Sequence, residues 1–554
     1  MAFATVHDRY TKKDIESFYR DGFWEPLTMF GALDKQVALR PDKVFITDDT
    51  SSMTFWRVRE TALRLAAGLH RAGIRAGDSV AVQIPSWAEF APIVMAINRL
   101  GAIIVPIQPI YRAGEVGHIL DSAKVKAVFT AQEYRGFDHT GMFLHLGGDS
   151  ETLTSVIVVR GTSQRDGTCS YEGLQAMEPL AELEAEIGPG LGPDDAFAIV
   201  FTSGTTSKAK GCLHSFNTLA TSARIQAENY GYSDSDVQFG PSPVTHTTGL
   251  VTSIILPLLF GAATHIMERW DPEAGLAAIQ KYRCTGTTNA STFLQTVLNI
   301  YDPQRHDATS MRFWTLAGAP IPAALVEKAR ETLPQMKIIS LYGRTENVTT
   351  TMCHIDDDPI RAISSDGKAL RGQRVKIVDP LGQEVPLGEE GDIAYDGAMH
   401  LFEYVGMPEQ TREMFTEDGF SRSGDLGRMD ASGYVRLTGR LKDIVIRGGM
   451  NISVREVEDA LAAHPRIDEV AVVAMPDPVM GERACCYLTL RGDASELTLE
   501  QLREYLLDRG LSIQKVPERL EIIESMPSTP TGKIQKNVLR DRIAAQLQSA
   551  SQSA

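Results

Sequence analysis

Ile199-Val-Phe-Thr-Ser-Gly-Thr-Thr-Ser-Lys-Ala-Lys-Gly211 joins two kinds of sequence. Ala196 to Phe201 is a short apolar run with β-branched residues, long enough for a strand and too short for a helix. From Thr202 to Thr206, four hydroxyls (Thr202, Ser203, Thr205, Thr206) surround Gly204, and Lys208 and Lys210 follow. Gly204 lets the backbone bend and come close to a ligand. Hydroxyls and exposed N–H groups wrap phosphate oxygens, and lysines add charge. The stretch predicts a phosphate clamp at a strand end. A Ser/Thr-rich surface turn fits the same residues, and the stretch alone leaves both readings open.

Two familiar nucleotide loops do not fit. The pattern G-x-x-x-x-G-K-S/T fails because the fifth residue after Gly204 is Ala209, and G-x-G-x-x-G is absent from the loop. Upstream, Lys43–Asp48 and Met53–Trp56 read as a hairpin, and Arg57–Gly73 carries helical apolar spacing. Strands at 79–84, 102–106 and 127–130 alternate with helices at 87–100 and 114–122. Residues 135–195 read as an irregular, Gly-rich connection. Downstream, 216–229 and 250–260 read as helices, and 263–267 and 338–341 as strands. This alternation predicts an α/β architecture with mostly parallel strands. Ligand sites in such sheets lie beyond the carboxyl ends of strands, where the loops at Thr202 and Tyr342 fall.

From Gly372 to about Gly439, short strands with Gly turns predict a β-rich subdomain. In the remaining tail, Ser453 with Glu456 and Thr498 with Gln501 match capping boxes, and Gly510 closes the second helix. Strands are expected at 469–474, 484–490 and 519–524. The expected organisation is a large N-terminal domain over 1–439, built of two mostly parallel α/β subdomains plus the β-rich one. A hinge at 440–442 and a small mobile α+β domain over 443–554 complete it.

A chain of 554 residues is too long for one compact core. Its hydrophobic content of 43% and charged content of 23% are those of an ordinary globular protein. The net charge of −16 argues against nucleic acid or an acidic membrane surface as partner, while a local basic cluster leaves anionic small ligands open. The six cysteines form no C-x-x-C and read as small buried residues in a reducing compartment. Met1–Trp24 has no apolar signal-peptide core, the Ser-Gln-Ser-Ala end matches no prenylation or peroxisomal signal, and the longest apolar run, 250–263, is too short to span a bilayer. The chain is expected to be soluble and cytoplasmic, with no integral membrane segment.

Six motifs follow one another in order: the clamp; His246-Thr-Thr-Gly249; Tyr342-Gly-Arg-Thr-Glu346; Ser423-Gly-Asp-Leu-Gly427; Gly439-Arg-Leu-Lys-Asp443, running on to Arg447-Gly-Gly-Met-Asn-Ile452; and Pro530-Thr-Gly-Lys-Ile534. In this order they resemble the adenylate-forming superfamily of acyl- and aryl-CoA synthetases, luciferases and peptide-synthetase adenylation domains, over nearly the whole chain. Tyr19–Thr28 and Arg447–Glu456 look most like short- and medium-chain acyl-CoA ligases and cyclohexanecarboxylate-type ligases.

The resemblance implies an ATP-dependent acid–CoA ligase. A carboxylate attacks the α-phosphate of ATP, giving acyl-AMP and pyrophosphate, and the CoA thiol then displaces AMP. Thr202, Ser203, Gly204, Thr205, Thr206 and Lys210 resemble the β,γ-phosphate loop. Glu346 matches the Mg²⁺ ligand, with Thr202 assisting. Tyr342 would stack on adenine against the wall Ala317-Gly318-Ala319, and Gly343, Arg344 and Thr345 continue that ATP-binding motif. Asp425 matches the acceptor for the ribose hydroxyls, supported by Arg440. Lys533 matches the catalytic lysine that reaches the carboxylate and α-phosphate, His246 the gate between acyl pocket and ATP, Lys442 the hinge, and Gly448 and Gly449 the CoA-arm glycines. The expected partners are a small-molecule carboxylic acid, ATP and CoA, and no nucleic acid; a homodimer stays open.

Taken singly, each residue has an ordinary reading: Asp425 a turn residue, Lys533 a solvated lysine, Glu346 a helix-terminal acid, His246 a core histidine. The ordered set outweighs these, whereas His265 and His354 match no motif. Ser207 and Ala209 depart from the family's usual Gly and Pro, which alters loop stiffness. Arg344 stands where Met, Ser or Tyr is commoner. Thr247, Thr248, Leu250, Ala317 and 349–352 are small or apolar, so a monocarboxylic acid with an apolar tail is expected: short- to medium-chain, alicyclic or aromatic. Three other functions are compatible: loading of a carrier protein, luciferase-type oxidation, and non-catalytic nucleotide binding. Retention of Lys533, Glu346 and Asp425 speaks against the last.

Overall fold

The computed structural model describes residues 3–161, 165–178, 191–202, 209–318, 321–447, 450–492, 497–529 and 533–552. Two large sheets dominate. In the first, Ala196–Phe201, Ile103–Pro106, Ser79–Gln83, Val125–Ala131, Ser155–Val159 and Thr168–Ser170 run parallel, and Gly211–Ser215 closes one edge antiparallel. In the second, Lys337–Tyr342, Phe313–Ala317, Gly286–Asn289, Val237–Gly240, Ala263–Ile266 and Val44–Thr47 run parallel in that order, with short antiparallel strands at both edges. Parallel strands buried on both faces need helices on both sides. Helix Phe216–Tyr230 shows why: every residue but Glu228 is buried, as expected of a helix held between two layers. Its apolar residues share one core with Val80 and Val200 of the first sheet and Ile266 and Phe313 of the second.

The β-rich subdomain is a four-stranded antiparallel sheet of Gln373–Val378, Gly391–Gly397, Ser421–Met429 and Val435–Arg440. A one-turn helix, Leu441–Asp443, leads from it to a separate five-stranded sheet over 445–522 with its own core around Val457, Val472 and Leu502. The α/β class with a small C-terminal α+β unit is the one expected. Among the described residues, no helix is long and apolar enough to cross a membrane.

Four expectations need correction. Residues 135–195 are not merely irregular: they hold helix His139–Asp149 and the strand Ser155–Val159, in register with Val125–Ala131. Its β-branched Val-Ile-Val-Val run was masked by the flanking polar residues. The 250–260 segment is not one α-helix: Leu250–Ile255 is a π-helix, with Leu256 N–H donating to the Val251 carbonyl, before α-helix Leu256–Phe260. Pro257 lacks an N–H, so the helical ladder changes register as it enters. Ser453 caps nothing: its hydroxyl donates to the Thr438 carbonyl at 2.6 Å, and Glu456 pairs with Lys515. A tertiary partner outcompetes the local cap there, whereas Thr498 and Gln501 do form theirs. Five cysteines are buried, but Cys169 is exposed, and none is paired.

The N-terminal segment straps the outside of the second half. Tyr10 hydroxyl donates to the carbonyls of Gly397 and His400, Trp24 Nε1 donates to Ala398 O at 2.9 Å, and Ala4 N–H donates to Glu403. Tyr10 packs edge to face against both Phe18 and Trp24, whose own rings are tilted at 50° to each other.

Candidate active site

Strands Phe313–Ala317 and Lys337–Tyr342, neighbours in the second sheet, end side by side, and the antiparallel sheet brings Asp425 and its register partner Arg440 against Tyr342. Tyr342, at its strand's end, donates its hydroxyl to Asp425 Oδ2 at 2.7 Å. Arg440 Nε meets Asp425 Oδ1 at 2.8 Å, and the two residues are register partners across neighbouring strands. Arg344 bonds Glu346 Oε1 at 3.0 Å, lies 3.9 Å from Asp425, and its other nitrogen reaches the Tyr395 hydroxyl at 3.5 Å. Arg344 therefore faces into the site and not into solvent. Burial raises the carboxyls of Asp425 and Glu346. For Asp425, Arg440, Arg344 and Tyr342 outweigh it, and for Glu346, Arg344 and Tyr404 do, so both stay below their usual range.

Tyr404 had no signal in the sequence. Its hydroxyl donates to Glu346 Oε1 at 2.6 Å, and the Lys210 ammonium lies 4.6 Å from its ring centroid. It reaches the site because 402–405 pair with the strand Gly211–Ser215 that follows the clamp. The base of the clamp closes on itself: Thr202 N–H donates to Lys210 O, and Lys210 N–H to the Thr202 hydroxyl. Ser203, Gly204, Thr205, Thr206, Ala319, Gly448 and Gly449 lie outside the described residues. Thr345 serves through its backbone, with its carbonyl 2.8 Å from His214 Nε2.

Lys533 comes from the C-terminal unit. A methyl group added at Gly318 would stand 2.7 Å from Lys533 Cε and 3.3 Å from Nζ, and Gly318 has φ +82°. The left-handed φ is what favours glycine here, and a Cβ would make the flexible end of Lys533 give way. Gly343 is equally constrained, since a Cβ there would meet the Val348 carbonyl. Burial first, then Arg440, lowers the Lys533 ammonium against the pull of Asp425 and Glu346, down to about 8. His246 caps the turn Thr247–Gly249 by accepting the Thr248 N–H. Burial and then Lys533 push its imidazole down to about 4, so it is neutral at pH 7. His265, by contrast, is an ordinary core histidine, bonded to Thr47 and stacked on Tyr282, and His354 is exposed.

Two carboxylates and the cations Lys210, Arg344, Arg440 and Lys533 thus converge at strand ends, an arrangement that suits an anionic, ribose-bearing ligand. Comparison with known proteins agrees. The AMP-binding enzyme family matches residues 33–404, and the AMP-binding enzyme C-terminal domain matches 456–533.

The chain belongs to the AMP-binding, adenylate-forming enzymes.

It is 32% identical to the medium-chain fatty-acid–CoA ligase of Escherichia coli (strain K12) across 96% of this chain and 93% of that one. It is 30% identical to pyochelin synthase PchD of Pseudomonas aeruginosa (strain UCBPP-PA14) across 95% and 94%. The crystal structure of the anthranilate CoA ligase AuaEII with anthranoyl-AMP superimposes with a TM-score of 0.85 at 26% identity, covering 95% of this chain and 98% of that one. This AMP-binding enzyme is an acid–thiol ligase by class.

Proposed function

We propose that the enzyme is an ATP-dependent acid–CoA ligase that makes acyl-AMP and then acyl-CoA from a monocarboxylic acid. One observation carries the reading: Lys533, from the C-terminal unit, lies against Gly318 beside the Asp425–Arg440 pair and Glu346. In the first step a carboxylate oxygen bonds to the α-phosphorus of ATP and the bond to pyrophosphate breaks. Lys533 sits where the incoming carboxylate and the α-phosphate meet, and its charge offsets the negative charge gathering there. Asp425 and Arg440 hold the ribose, Tyr342 flanks the base, and Thr202 and Lys210 begin and end the loop around the outer phosphates. In the second step a thiol sulfur bonds to the acyl carbon and AMP leaves. CoA is the acceptor assigned here, with Gly448 and Gly449 beside its arm. The unit from 443 onward pivots about 440–442.

Glu346 and Thr202 offer hard oxygen donors, and no cluster of three or more His, Cys, Asp or Glu among the described residues forms a metal cage. That donor set fits Mg²⁺ carried mainly on ATP phosphates. When bound, the ion neutralises phosphate charge. Arg344 and Tyr404 both reach Glu346 Oε1, so they orient the carboxylate in the protein alone.

The direct test is a screen of carboxylic acids for pyrophosphate release, with and without CoA, and with a phosphopantetheinyl carrier as rival acceptor. Acid-dependent release followed by CoA thioester supports the assignment; transfer to the carrier alone, light or peroxide output, or no release with any acid refutes it. Two variants probe the geometry. Glu346→Gln should raise the Mg²⁺ concentration for half-maximal adenylation by on the order of 10-fold or more, because a neutral amide is a poor ligand for a hard cation. An unchanged titration returns Glu346 to a purely structural role. Gly318→Ala pushes into Lys533 and strains a left-handed position. Misplacing a reacting group by about 1 Å costs roughly 10²-fold, so adenylation should slow on that scale while transfer from preformed acyl-AMP persists. Equal slowing of both half-reactions would contradict the contact.

A further inference from the structure

Helix Ala113–Ala123 carries none of the six motifs, yet one of its side chains reaches the clamp. The helix is fixed at both ends: Glu115 accepts the Arg112 N–H at 2.9 Å, and Lys124, with φ +51°, closes it in a left-handed turn. Between them Val116, Ile119, Leu120 and Ala123 are at most 1% exposed. They share a core with Ile199 and Phe201 of the strand leading into the clamp and with Leu213 of the strand leaving it. This i, i+3, i+4, i+7 stripe packs the helix against the clamp's two strands.

His118 stands beside that stripe, half-buried. Its Nε2 donates to the Ala209 carbonyl at 2.9 Å, since a carbonyl only accepts. Ser122, one turn further along the helix, brings its hydroxyl to 3.3 Å from Nδ1. The imidazole also stands edge-on to Phe201, with ring centroids 6.2 Å apart. Phe201 in turn lies across its register partner Gly211, where a Cβ would come within 3.0 Å of the Phe201 ring. One side chain thus meets both ends of the clamp, at the residue before Thr202 and the residue before Lys210. No proline occurs from Thr202 to Lys210, so φ is locked nowhere in the loop. The two bonds between Thr202 and Lys210 tie those ends only to each other. His118 ties them to a packed helix, and the Lys210 ammonium is then steadied over the Tyr404 ring.

We propose that His118 is a positioning residue for ATP: through Ala209 it holds Thr202 and Lys210 where the outer phosphates meet them. The proposal rests on the ligase reading above, which assigns the clamp to those phosphates. A loop that must be ordered as the ligand arrives spends binding energy on its own ordering, and a loop held beforehand does not. His118 touches no ligand, so it acts on affinity through the placement of the clamp. AMP lacks the outer phosphates, so the contribution of His118 belongs to ATP and not to AMP.

The test measures ATP and AMP affinity by calorimetry on the full chain, with Mg²⁺ and without any acid, so that no adenylate forms. His118→Phe keeps a ring against Phe201 and loses the N–H. His118→Gln keeps an amide N–H at the reach of Nε2, and His118→Asn carries the same amide one methylene short of it. Phe and Asn should each weaken ATP by roughly 3- to 10-fold, the worth of one net hydrogen bond, and leave AMP unchanged. Gln should stay near the parent for both nucleotides. Phe and Asn lose the bond in different ways, so either one decides the matter if the other does not fold. Unchanged ATP affinity in the folded Phe or Asn variant overturns the inference. Equal weakening of ATP and AMP, or a Gln variant as weak as the other two, does the same, because packing alone would then account for His118. A parent that binds ATP and makes acyl-AMP while the variants match it spares the ligase reading. A parent that binds no ATP sinks both.

Discussion

Lys533→Ala is expected to lose acyl-AMP formation by on the order of 10²–10³ while retaining most of the transfer from preformed acyl-AMP to CoA. The charge it removes acts where the carboxylate meets the α-phosphate, and the second half-reaction has no comparable build-up of phosphate charge. Its environment adds a second readout. Burial and then Arg440 lower the ammonium to about 8. The charged form exists below that pH and is lost above it. The kcat/KM for ATP, which reports the free enzyme, should therefore fall as pH rises through about 8, and Lys533→Arg should move that limb upward. Separate assays of pyrophosphate exchange and acyl transfer decide the matter: acyl-AMP made at the parent rate, or both halves lost together, removes Lys533 from its assigned role.

The second large effect is expected at the pivot. Lys442 lies within the one-turn helix Leu441–Asp443 that connects the two units. In this arrangement Lys533 is already at Gly318, so the structure is the one suited to adenylation. A first-turn N–H has no acceptor within its own helix, and proline's fixed φ suits such a turn. Lys442→Pro should be tolerated here and opposed elsewhere. An incompatible backbone costs proline about 3 kcal/mol, which is roughly a 100-fold loss of the other arrangement. Adenylation should persist while thioester formation falls by that factor, so that acyl-AMP accumulates on the enzyme. If both half-reactions fall equally, or neither changes, the pivot lies elsewhere.

The sequence revealed what local chemistry dictates. Strand-helix alternation, the motif order and the Thr498–Gln501 cap are all written within a few neighbouring residues, and each is present in the fold. What escaped depends on residues far apart in the chain. Ser453 looked like a cap because its competitor, the Thr438 carbonyl, lies across a turn in another sheet. Nothing near Arg344 in the sequence fixes its direction; Asp425 and Tyr395, distant in the chain, surround it together with Glu346. Tyr404 is unremarkable in sequence and reaches Glu346 only through the pairing of 402–405 with the strand after the clamp. Thr349 was in view among the residues after Glu346, but the bond it accepts from Gln226 Nε2 comes from helix Phe216–Tyr230, far away in the chain.

The strap of Tyr10, Trp24 and Ala4 carries a lesson about borders. The family match begins at residue 33. Yet residues upstream of it grip the carbonyls of 397–400 and the side chain of Glu403, and the next residue, Tyr404, bonds Glu346. A gene trimmed to residues 33–533, the span of the two family matches, would omit the brace behind one wall of the reaction centre. For this chain, the matched family region is smaller than the unit that has to fold.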